Sequence, residues 1–107
     1  MIPLKKIEDL ITKHSDLERD LSSGKIDKKF FAEKSKEYSD LNEIISDAKK
    51  YISFEKDRSE LQKILVEQNT DKELLRMAEI ELKELEILHE KNEKKLKLFL
   101  LPKDEAD

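Results

Sequence analysis

The sequence predicts an all-α fold: an elongated antiparallel three-helix bundle or helical hairpin with coiled-coil-like packing. Three observations point there. Apolar residues recur at steps of three and four over long stretches, the spacing of one helix face. A single Gly and two Pro in 107 residues leave few places for the chain to break. Charged residues make up 45% and hydrophobic residues 36%, where an ordinary globular domain is nearer a quarter charged. Such a chain has enough apolar surface for narrow stripes but not for a broad core. Disorder is the other outcome of so much charge, and the regular spacing argues against it.

The first helix is expected over about 3–22. Pro3 suits a first helical turn, where its missing N–H costs little. Leu4, Ile7, Leu10, Ile11, His14, Leu17 and Leu21 form one stripe. Ser22, Ser23 and Gly24 then stop it, the glycine standing where a left-handed residue is wanted.

The second helix is expected over about 27–68. Asp27 is a good N-cap because its carboxylate can accept from free backbone N–H groups. Ile26 and Phe31 are spaced for a hydrophobic staple. The stripe continues through Tyr38, Leu41, Ile45, Ala48 and Ile52, with Phe30, Ile44 and Tyr51 alongside. A charged interval at 55–60 interrupts it, and Leu61, Ile64 and Leu65 resume it in a shifted phase. With no Gly or Pro from 28 to 68, one continuous helix of about 60 Å is expected. The charged interval is where it would leave one packing partner for another.

The third helix is expected over about 71–100. Thr70 with Glu73 fits a capping box, and Asp71 is nearly as good a cap. Leu75, Ala78, Leu82, Leu85, His89, Asn92, Leu96 and Phe99 follow the alternating steps of a coiled-coil seam. If that seam is buried, Leu82→Ala or Leu85→Ala should cost about 2–4 kcal/mol. Pro102 ends the helix. Short connections make neighbouring helices antiparallel.

The formal net charge of −4 comes from 26 acidic and 22 basic residues, thoroughly mixed. No net basic surface is available to release counterions from nucleic acid. The absence of Cys removes disulfides and thiolate chemistry. Neither a signal-peptide core nor a stretch of transmembrane length occurs. The expectation is a soluble cytoplasmic protein.

A search for chemistry finds little. His14 and His89 both fall on apolar stripes. Glu86 stands three residues before His89, half of a di-iron pattern whose second copy is missing. Both histidines therefore read as stripe residues and not as metal ligands. Acid–base catalysis needs a concave, partly dry pocket, and narrow helices offer little room for one. Gly-rich phosphate loops and nucleophile elbows are absent. Lys91, Lys94, Lys95 and Lys97 could meet RNA phosphate or an acidic protein surface. Glu90 and Glu93 lie among them, which reads as a solvated face with local ion pairs. Phe30, Phe31, Tyr38, Tyr51 and Phe54 sit at helical spacing and read as core. Asn92 on the seam can fix register, or can sit at an exposed end. No residue is assigned to catalysis, to a cofactor or to a metal, and the partner-binding residues are not specified.

Three segments carry a resemblance. In 33–41 stand Ser35, Lys36, Glu37 and Tyr38; in 71–86 stand Met77, Ala78, Glu81 and Leu82; in 100–107 the run Leu100 to Asp104 reads Leu-Leu-Pro-Lys-Asp. Jointly, in this order and at this spacing, they resemble the N-terminal helical domain of bacterial class I peptide chain release factors, the type 1 factors in particular. Glu105 departs from the pattern, standing where many members have Pro. The resemblance implies that 102–107 begin a linker to codon-reading and peptidyl-tRNA hydrolysis domains, neither of which this sequence contains. No Gly-Gly-Gln is present, so no catalytic residue carries over. It also implies a docking arm without catalysis of its own. That arm would reach toward the stalk base of the large ribosomal subunit and the class II release factor GTPase. The parent would act at UAA and UAG codons. A rival reading is a stand-alone structural coiled coil that homodimerises through the third-helix seam. An RNA-binding helical module is the third.

Overall fold

The computed structural model describes residues 1–67 and 71–102. These form four helices and no strand: α1 Leu4–Ser23, α2 Lys28–Asn42, α3 Ile45–Val66 and α4 Lys72–Leu100. The chain extends over 62 × 34 × 20 Å. Its accessible surface is 8439 Å², against about 6,200 Å² expected of a compact monomer of this mass. Extended packing leaves much of each helix in water.

Pro3 is the residue before α1, and its carbonyl accepts from Lys6 N–H (3.1 Å). At the other end Ser22 and Ser23 hydroxyls donate to the carbonyls of Glu18 and Asp20 (2.8 and 2.7 Å). Gly24 follows with φ 71°. A Cβ there would meet nothing within 4 Å, so the demand for glycine comes from the backbone alone.

Asp27 caps α2, its carboxylate accepting from Lys29 N–H (3.1 Å). The single helix expected over 27–68 is, however, two helices. Glu43 N–H turns to the Asp40 carbonyl (3.3 Å) and Ile44 N–H to the Leu41 carbonyl (3.0 Å) before Ala48 N–H to Ile44 restores the α pattern (2.9 Å). These i→i−3 bonds tighten the winding to about 3.0 residues per turn and advance the apolar face. Leu41 and Ile44, on either side of this turn, are both buried. Asn42, next to the break, accepts from His14 Nε2 of α1 (2.6 Å). The break is therefore tied to a neighbouring helix and needs neither Gly nor Pro. Through the charged interval at 55–60 the helix continues unbroken, as expected.

Asp71 caps α4, accepting from Glu73 N–H (3.3 Å); the Thr70 alternative and the expected helix end at Gln68 lie outside the described residues, as do 103–107. α1 and α2 are antiparallel, with Lys13 paired to Glu37 and Lys34 to Asp20 (3.7 Å). α3 and α4 are antiparallel as well, with Lys95 paired to Asp47 (3.0 Å) near one end and Phe54 stacked on His89 further along. One core gathers Ile2, Ile7, Leu17, Leu41, Ile44, Ala48, Tyr51 and Leu96 where α1, α3 and the C-terminal half of α4 meet.

All eight seam positions of α4 are buried or half-buried. Leu82 and Leu85 are only half-buried, since α3 alone covers them. Leu96→Ala, at a site with no exposure, should therefore cost about 2–5 kcal/mol in urea unfolding, with Leu82→Ala clearly below it. Equal costs would mean that the hairpin is covered as deeply as the junction. Gly24→Ala should cost about 1–2 kcal/mol for the left-handed backbone; an unchanged midpoint would show that the turn had relaxed.

Candidate functional site

His14 and His89 occupy two separate packing sites. His14 stacks on Tyr38 (centroids 4.8 Å) and hydrogen-bonds Asn42, locking α1 to α2. His89 stacks on Phe54 (3.7 Å) and Tyr51 (4.8 Å) of α3. Its Nδ1 is buried without a hydrogen-bond partner among the described residues. Glu86 and His89 line a recess of about 350 Å³ that also includes Met1, Leu4, Arg58 and Glu90. Among the described residues no group of three or more His, Cys, Asp or Glu could hold a metal ion.

Glu93 is the polar centre of the junction, a role that the sequence pattern did not reveal. Its carboxylate faces Lys97 Nζ (3.0 Å), the Met1 amino group (3.5 Å), the Tyr51 hydroxyl (3.3 Å) and His89 Nε2 (3.8 Å). Tyr51 in turn accepts from Ile2 N–H (3.1 Å). The Lys97 hydrogen bond holds the Glu93 carboxyl below its ordinary value, partly opposed by desolvation and assisted by the amino terminus and Tyr51. Lys97 is raised for the reciprocal reason, chiefly its bond to Glu93. The arrangement holds the amino-terminal residues ahead of α1 against α3 and α4.

The lysine run divides. Lys97 and Lys95 are committed to Glu93 and to Asp47 of α3, whereas Lys91 and Lys94 face outward. Tyr51 and Phe54 are buried in the core, as the spacing suggested, but Phe30 and Phe31 are half exposed. Asn92 is buried on the seam and lines a 200 Å³ recess with Lys50, Asp57 and Leu88.

Further from the junction, α3 and α4 leave a groove of about 490 Å³ between them. Leu61, Ile64, Leu85 and Leu88 line it, together with Asp57, Glu60, Glu81 and Glu84. The seam offered above for homodimerisation is itself occupied by α3.

Fold and surface together define an all-α helical module with narrow seams, grooves open to solvent and local ion pairs. The chain belongs to the PCRF domain family, which matches residues 10–107. It is 67% identical over all 107 residues to peptide chain release factor 1 of Pelagibacter ubique, of which it covers 30%. It is also 40% identical over 103 residues to the Wolbachia pipientis release factor 1, covering 94% of this chain and 28% of that protein. The Rickettsia bellii factor is 39% identical over 98 residues, which is 92% of this chain and 27% of the relative. The chain thus spans under a third of the length of these curated relatives. No solved structure matches it. The resemblance drawn from residues 33–41, 71–86 and 100–107 therefore holds.

Because Glu93 titrates below its unfolded value, the stability it contributes is present above 4.5, the ordinary value, and is lost as pH falls through the depressed one. Glu93→Gln should flatten the acid limb of a Tm-versus-pH curve below pH 4.5. A variant whose acid limb stays as steep as the parent's would take Glu93 out of that role.

Proposed function

We propose that this chain serves as the docking arm of a cytoplasmic translation termination factor, and that the peptide-releasing chemistry belongs to parts of the longer protein beyond these residues. The observation that carries the reading is the whole-chain identity of 67% to a release factor 1. On this reading the arm reaches toward the stalk base of the large ribosomal subunit and the class II release factor GTPase. Its parent releases nascent peptide at UAA and UAG codons. The physical features suit the task. Helices linked by short turns transmit position over tens of ångströms, and exposed charge steers encounter and orientation more than it adds affinity. Nothing in the described grooves resembles the enclosed, pKa-shifting pocket that bond cleavage requires. Among the described residues no helix is long and apolar enough to cross a membrane. No small-molecule substrate or cofactor enters the reading.

Two measurements test it. Put in place of the aligned segment of the Pelagibacter ubique factor, this chain should preserve codon-dependent peptide release; loss of release in a folded chimera would sink the assignment. Alone on programmed ribosomes it should release no peptide, and codon-dependent release by the isolated chain would return the chemistry to these residues.

A further inference from the structure

We infer that the groove between the distal halves of α3 and α4 is the partner-binding surface of the arm, and that its occupant is a basic amphipathic helix of another protein. The inference rests on the docking reading above and names the surface and the chemistry it recognises.

The groove is built at helical spacing. Asp57, Glu60, Leu61 and Ile64 come from α3, and Glu81, Glu84, Leu85 and Leu88 from α4. On each wall the lining extends over eight residues, about 10 Å of rise. That length accepts the i, i+3 or i+4, i+7 anchors of a helix laid between two others. Four aliphatic side chains form the floor and four carboxylates the lining's charge, with no basic residue among them.

Three of these four carboxylates lack the one-turn basic neighbour that several other acidic residues of the chain have; Glu60, with Lys56 and Lys63, does not. Lys5–Asp9, Lys36–Asp40 and Glu93–Lys97 are all paired one turn apart. Asp57, Glu81 and Glu84 have no Lys or Arg three or four residues away on either side. Residues 57–86 hold nine acidic and five basic side chains, an excess equal to the net charge of the whole chain, −4. Asp57 accepts from Ser53 Oγ (3.1 Å), and Lys50 lies with it around the adjoining recess. An RNA ligand would be repelled here. An acidic partner would be repelled as well. A helix with leucine-type anchors and flanking Lys or Arg would cover the floor and neutralise the rim.

The test uses the whole chain and a defined probe: a labelled helical Leu/Lys peptide with one apolar face, compared with its Leu/Glu counterpart. Anisotropy should report binding of the Leu/Lys peptide alone, weakening with salt. Amide shifts should cluster on 57–64 and 81–88. The double variant Glu81→Gln/Glu84→Gln should weaken binding by about tenfold or more. Glu86→Gln/Glu90→Gln, beside the His89 recess, should leave it unchanged. Thermal melts of both variants check folding. Equal binding of the Leu/Glu peptide, an unaffected Glu81/Glu84 variant, or shifts confined to other faces would overturn the inference. So would concentration-dependent self-association lost in that variant, which would make the occupant a second copy. The titration contains no ribosomes, so its failure leaves the release experiments to judge the docking reading separately.

Discussion

Tyr51 is held by three elements at once, and the placement of the other helices follows from it. The ring is buried against His89 of α4, while its hydroxyl accepts from Ile2 N–H ahead of α1 and donates to Glu93 of α4. A buried phenol is costly unless its O–H is satisfied, so the helices must meet where both partners reach it. Ile7 and Leu96, neither with any exposure, fill the space around that meeting point. Ala48, also without exposure, adds little bulk there, and interaxial distance follows the side chains at the contact. Docking α1 onto α3 and α4 is thus both apolar and polar, and each part fixes the geometry of the other.

From this junction outward the packing thins. Beyond Phe54, α3 has α4 as its neighbour, and the aliphatic residues between them, Leu61, Ile64, Leu82 and Leu85, are only half-buried. Ala78 is the fully covered apolar position of that half of α4 among the described residues. Segments with few buried contacts open at lower free energy than a core. The distal hairpin combines this shallow burial with four carboxylates lining its groove, while the junction combines deep burial with paired charge. One end is therefore suited to being held in place and the other to meeting something else.

Much of this architecture was legible in the chain. The α4 seam came from periodicity alone, and every one of its eight positions is turned from solvent. Asp27, Asp71 and Gly24 act locally, within a few residues of their partners, and were readable for that reason. Placing both histidines on apolar stripes anticipated their stacking on Tyr38, Tyr51 and Phe54. The break at Glu43 and Ile44 was not legible, because no helix-breaking residue marks it and the contact beside it, His14 with Asn42, spans 28 residues of sequence. The continuity of the helix through the charged interval at 55–60, by contrast, was legible. Charge on a solvent face lowers apolar content without interrupting backbone hydrogen bonds, so α3 passes through it.

By itself the sequence determined the helical class, the stripes, the caps and the stop at Gly24, since each depends on residues within one or two turns. It also carried the identity of the family, in motifs distributed from Ser35 to Asp104. Only the tertiary structure decided which stripe covers which, where the second helix bends, and how deep each seam lies. It alone brought Tyr51 and Glu93 together from positions 42 residues apart, and set four carboxylates around one groove. Burial and charge convergence are properties of distant segments brought into contact, and no local pattern encodes them.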